Sequence, residues 1–135
     1  MSGRLLIQNA SLVLSDRIVE GDLRVADAQI LTVAPGGGLE AEESESILDA
    51  TGLHLLPGAI DPQVHFREPG QPDREDIGSG SRAAAAGGVT AFLDMPNNVP
   101  AATTLASIQS KIDSAGRNGV NHHGFFIGAT PDNVS

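Results

Sequence analysis

LLPGAIDPQVHFREPG, residues 55–70, changes character halfway along. An apolar start (Leu55, Leu56, Ala59, Ile60) runs straight into Asp61, Gln63, His65 and Arg67. These four alternate with Pro62, Val64 and Phe66, so a strand that kept its period of two would project them from one face. A row of carboxylate, amide, imidazole and guanidinium is expensive to bury without partners. It fits a strand end that opens into a polar cavity holding a metal, an anion or both.

The same apolar beat recurs downstream, at residues 55–61, 89–94 and 121–127. Two segments of helical character separate the runs. The first spans Asp73 to Ala86, with Asp73 as the expected N-cap, an alanine run at 83–86 and Gly87-Gly88 as terminators. The second begins at Thr103 or Thr104, places Leu105, Ile108, Ile112 and Ala115 on one face, and is expected to end at Gly116. Strand, helix, strand, helix, strand predicts βαβ units on a parallel sheet. A closed eight-unit barrel needs roughly 250 residues, and roughly 80 follow position 53. About two and a half units fit, too few to close a barrel, so a fragment of a longer protein is expected.

Residues 1–53 read differently. Leu5–Ile7, Leu12–Leu14, Leu23–Val25, Ile30–Val33 and Ile47–Asp49 are short β-prone runs. Gln8-Asn9, Ser15-Asp16, Glu20-Gly21-Asp22, Asp27 and Ala50-Thr51-Gly52 are expected turns between them. Pro35 to Gly38 breaks the pattern, and Glu40 to Ser46 is expected to be a solvated acidic connection. The expected division is 1–53, a β-rich segment, and 54–135, the βα units.

Composition narrows the function. With 135 residues and 40% apolar content the chain can build a core, and with four Phe and no Tyr or Trp that core must rest on aliphatic side chains. A formal charge of -9 and only eight Lys and Arg argue against nucleic acid and against an anionic membrane surface. There is no cysteine, so thiolate metal sites and disulfides are excluded. Gln8, Asn9 and Ser11 interrupt the N-terminal apolar stretch, no run approaches a membrane span, and a cytoplasmic location is the expectation.

The chemistry rests on a few residues. His65, at a strand end, is the strongest metal candidate, because neutral imidazole suits Zn²⁺. Arg67 has the forked donor geometry that grips a carboxylate through two parallel hydrogen bonds, with an ion pair to Glu68 or Asp73 as the bland alternative. The second apolar run ends in Asp94-Met95-Pro96-Asn97-Asn98, again at a carboxyl edge. His54, His122 and His123 fall at the opposite, amino-terminal edge and are expected to be structural.

Taken together, Asp49 to Gly52, Pro57 to Gly70, Ala85 to Thr90 and Met95 to Asn98 resemble the dihydroorotase branch of the cyclic amidohydrolases. In that family an apolar strand ends in Asp-x-His-x-His, followed by Phe-Arg-Glu-Pro-Gly and, one strand on, by Met-Pro-Asn-Thr. His65 to Gly70 matches residue for residue, whereas Gln63 stands where the family has its first histidine. The resemblance implies the N-terminal part of a metal-dependent (β/α)8 barrel, incomplete in this chain, preceded by part of a small β-sandwich. It implies zinc held by His65 and, more weakly, by Gln63, with Arg67 and Asn97 as substrate residues. The implied reaction is reversible hydrolysis of dihydroorotate to N-carbamoyl-aspartate in pyrimidine synthesis. The catalytic groups and most metal ligands are expected beyond Ser135. Two rival readings stand: an allantoinase- or hydantoinase-like enzyme, and a catalytically silent subunit that supports aspartate carbamoyltransferase. Expected partners are the small substrate, a second copy of the chain, or that carbamoyltransferase.

Overall fold

The computed structural model describes residues 3–134 and divides into two compact units after Pro57. The first is a five-stranded sheet: β1 (Arg4–Val13), β2 (Ile18–Ala26), β3 (Gln29–Pro35), β4 (Ser46–Asp49) and β5 (His54–Leu55). β1–β2 and β2–β3 are antiparallel hairpins, while β4 and β5 lie parallel to successive stretches of β1. Ile7, Ala10, Leu12 and Ala50 form its buried centre, with Leu5, Val19, Leu23 and Leu55 against them.

Several expected turns are absorbed into strands here. Gln8-Asn9 is a bulge inside β1, where the register shifts between Ile7 and Ala10 and Asn9 takes φ 61°. Glu20-Gly21-Asp22 runs through the middle of β2. Asp22 is buried there because it accepts from the Asn9 and Leu39 amides at 3.0 and 2.9 Å. The acidic connection is also more than a solvated loop. Arg24 pairs with Glu45 at 2.9 Å and Glu42 at 3.0 Å, and Arg4 reaches Glu42 at 2.7 Å. The hydrogen bond from Arg24 holds the Glu45 carboxyl below its usual range.

His54 and Leu55 pair with Ser11 and Leu12 of β1, so the apolar run expected as one strand over 55–61 is split. Its first part completes the first sheet and its second begins the next. The boundary therefore falls after Pro57 instead of after residue 53, and His54 belongs to the first sheet.

The second unit is α/β. β6 (Ala59–Val64), β7 (Val89–Asp94) and β8 (His122–Phe125) form a parallel sheet in that order, with α1 (Ile77–Ala86) and α2 (Leu105–Asn118) as the connecting helices. Phe66, Ile77, Phe92 and Ala115 form the core between sheet and helices. Phe66 meets Phe92 edge-on at 4.8 Å. Gly80 on α1 lies directly under the Phe66 ring, where any Cβ would collide.

Both helices keep their expected existence and shift their ends. α1 is capped by Asp76, not Asp73: Asp76 accepts from the Ser79 amide while the Ser79 hydroxyl caps back. α2 starts after Thr104 through the same reciprocal arrangement with Ser107, and passes Gly116 to end at Gly119. Its buried face is only partly the expected one: Ala115 is buried as expected and Ile108 is half-buried. Leu105 is 84% exposed and Ile112 is 41% exposed, whereas Lys111, Ser114 and Ala115 are buried. Among the described residues no helix is long and apolar enough to cross a membrane.

Candidate metal and substrate site

Because β6, β7 and β8 run parallel, their carboxyl ends open on one edge of the sheet. β6 ends at Val64, with a register irregularity between Asp61 and Val64. The uninterrupted alternation expected from Asp61 to Arg67 is therefore not kept. Asp61 and Gln63 are strand residues, and His65 and Arg67 belong to the loop that follows. Asp61 bends the strand locally, its Oδ1 accepting from the Gln63 amide at 3.0 Å.

Across the edge, His65 Nδ1 lies 2.9 Å from Asn97 Oδ1. An Nδ1–H donating to that oxygen would leave Nε2 with its lone pair, the tautomer a metal-binding imidazole needs. His65 and Asn97 are both exposed, and neither His65 Nε2 nor Asn97 Nδ2 has a hydrogen-bond partner among the described residues. Arg67 is also exposed, and its guanidinium pairs with neither Glu68 nor Asp73 among the described ion pairs. Glu68 is occupied elsewhere: one carboxylate oxygen accepts from the Ile77 amide at 3.0 Å and the other from the Ser114 hydroxyl. Only the Arg67 backbone is pinned, its amide donating to Glu75 O at 3.0 Å. Gln63 is exposed as well.

Imidazole, carboxylate and amide oxygen fit part of a ligand set for a cation such as Zn²⁺. They do not complete one, since no three His, Cys, Asp or Glu side chains come together among the described residues. His122 and His123 start β8 at the far edge, as expected, and His122 lines an open cavity of about 450 Å³ there with Thr90 and Asn121.

Beneath the exposed residues lies a buried polar layer that the sequence reading does not single out. Asp94 Oδ1 accepts the Phe66 amide at 3.0 Å, and its Oδ2 meets Lys111 Nζ at 2.8 Å. Asn98 donates to Phe66 O and Glu68 O at 3.1 and 3.0 Å and accepts from Lys111 at 2.7 Å. Burial pushes the Asp94 carboxyl above the usual range, and Lys111 pulls it back. One signal for this layer is present in the sequence. Lys111 stands in the apolar stripe, between Ile108 and Ile112, where only a lysine with a buried partner is tolerable.

Residues 52–134 match the dihydro-orotase-like family. The chain is 34% identical over 134 residues to an allantoinase of Desulfitobacterium hafniense, covering 96% of this chain and 28% of that protein. It is 35% identical over 132 residues to a dihydroorotase of Pediococcus pentosaceus, covering 98% and 30%. Among solved structures, the L-hydantoinase of Arthrobacter aurescens superposes with a TM-score of 0.87 at 29% identity, over 98% of this chain and 29% of that one. A D-hydantoinase follows at 0.78 and 28% identity, over 96% and 28%. The chain thus spans less than a third of the length of these relatives.

Proposed function

This chain belongs to the dihydroorotase-like family of cyclic amidohydrolases, and on that premise we propose that it is part of a zinc-dependent enzyme interconverting dihydroorotate and N-carbamoyl-aspartate. The carrying observation is the meeting of two loops: His65 Nδ1 from one and Asn97 Oδ1 from the other stand 2.9 Å apart, and Arg67, exposed in the same loop as His65, has no ion-pair partner among the described residues. Dihydroorotate carries a carboxylate that uncharged cyclic amides lack. Arg67 would hold that carboxylate bidentately, and Asn97, whose oxygen faces His65, would offer it the free Nδ2 donors. His65 would hold zinc through Nε2, with Asp61 or Gln63 as further oxygen donors. When bound, the metal supplies polarisation of the ring amide and an activated water. Every other role asked of these residues is binding and orientation.

A second reading, an allantoinase- or hydantoinase-like enzyme, is supported by the 34% identity to an allantoinase and the superposition on an L-hydantoinase. Gln63 in place of a better zinc ligand supports a third, a silent subunit that braces aspartate carbamoyltransferase. One experiment separates them. The full-length protein, loaded with zinc, is assayed against dihydroorotate, allantoin and an unsubstituted hydantoin. A higher kcat/KM for dihydroorotate is expected, and preference for either other ring would replace the proposal with the second reading. No turnover of any ring, with co-elution beside aspartate carbamoyltransferase, would favour the third.

A further inference from the structure

We propose that Lys111 is a positioning residue, tying the loop after β6 to the loop after β7 and so setting where His65, Arg67 and Asn97 stand. The inference rests on the reading that those three residues form the site. Lys111 lies on α2, and its side chain is wholly inaccessible. Its ammonium donates to Met95 O at 3.0 Å and to Asn98 Oδ1 at 2.7 Å, and forms an ion pair with Asp94 Oδ2 at 2.8 Å. The Phe125 ring closes the remaining side, its centre 5.2 Å from Nζ. All three oxygens belong to the end of β7 and its loop.

Two of those partners reach on into the other loop, and both meet at Phe66. Its amide donates to Asp94, and its carbonyl accepts from Asn98. Phe66 is thus held at both backbone groups by side chains that Lys111 holds in turn, while its ring is packed on Phe92. His65 and Arg67 flank it, exposed where Phe66 is buried. They project from a peptide whose orientation the buried layer determines. α2 also reaches the loop after β6 directly, through Ser114, three residues along the same face, which donates to Glu68.

Stability alone is a poor reason for this arrangement. A buried ion pair returns little net free energy, and apolar side chains of similar volume do as well or better. What apolar packing would not supply is a directional link between two loops at one sheet edge.

The test uses the full-length protein and three variants: Lys111→Met, Asn98→Ala, and, as a control that weakens the same helix without touching either loop, Ser110→Gly at an exposed position of α2. Backbone amide exchange over residues 65–70 is measured, together with kcat and KM for whichever cyclic amide is turned over fastest. Faster exchange over 65–70 is expected in Lys111→Met and Asn98→Ala but not in Ser110→Gly. A raised KM should accompany it, with kcat/KM falling by up to roughly 100-fold, the scale of a small misplacement at a binding site. Should Lys111→Met not fold, Asn98→Ala carries the comparison. Exchange and KM in both variants no different from Ser110→Gly would overturn the proposal. Failure to turn over dihydroorotate would overturn the substrate reading instead, since the exchange comparison needs no substrate and still decides the role of Lys111.

Discussion

Gln63 and His65 are two residues apart and are treated differently by their surroundings. His65 has one ring nitrogen fixed by Asn97 at 2.9 Å, whereas Gln63 is bonded through its backbone to Asp61. An amide oxygen is also a weaker donor to zinc than imidazole. Gln63→His should therefore raise zinc affinity in the full-length protein, and His65→Ala should lower it, as read by competition with a chelator. Equal affinity in wild type and Gln63→His would mean that the amide is no defect. Arg67 belongs to the same scale. It is exposed, and its guanidinium has no carboxylate partner among the described residues, so its role is to be sought in the ligand. Arg67→Met should weaken dihydroorotate binding by about 1.5–3 kcal/mol, the worth of a hydrogen bond to a charged group, while zinc content stays unchanged. Calorimetric titration with parallel metal analysis checks both halves.

At the scale of the element, α1 depends on two local devices. Its cap, Asp76, accepts from the Ser79 amide, and that bond is the main reason its carboxyl sits below the ordinary value of 3.8. A carboxylate lowered by folding stabilises the fold fully above its unfolded pKa, and the contribution fades as pH falls through the lower folded value. Asp76→Ala should thus be less stable than wild type at neutral pH, and the gap between their urea midpoints should close as the pH is taken below 3.8. A gap that stayed constant would mean that the loss does not depend on the ionised carboxylate, since alanine itself favours helix. The second device is Gly80, which leaves room for the Phe66 ring. Gly80→Ala improves helix propensity yet should destabilise the unit by about 1–3 kcal/mol through overpacking, measurable by denaturant melts. α2 is informative in another way. Its alternation of apolar residues marks a helix correctly, but the face it buries carries Lys111 and Ser114, while Leu105 is exposed.

At the scale of the whole molecule, each unit has its own core, and the second unit leaves large apolar groups open on and just past its sheet: Ile60 of β6 is 67% exposed, and Phe126 and Ile127, which follow β8, are 43% and 48% exposed. Parallel sheets are ordinarily covered on both faces. The 135-residue chain by itself should therefore self-associate at micromolar concentration, which light scattering would show; a monodisperse monomer would contradict it. It should also lack turnover of dihydroorotate with added zinc. The reason is the donor set: no three metal-ligating side chains gather among the described residues, and the chain spans under a third of its relatives. Activity above a zinc-only blank would refute this.

Local pattern and motif were enough for the alternating strands and helices of the second unit, the glycines that end α1, the capping threonine of α2, and the family to which His65–Gly70 and Met95–Asn98 point. These depend on neighbours a few residues away, and propensity, capping and period are short-range properties. Only the tertiary structure decided that Asn9 bulges instead of turning, that His54 and Leu55 join β1, and that His65 is oriented by Asn97 across 32 positions of chain. The burial of Lys111 beneath both loops is of the same kind. Each depends on which distant backbone or side-chain group arrives within hydrogen-bond reach, and the order of residues encodes that only through the packing of the whole unit.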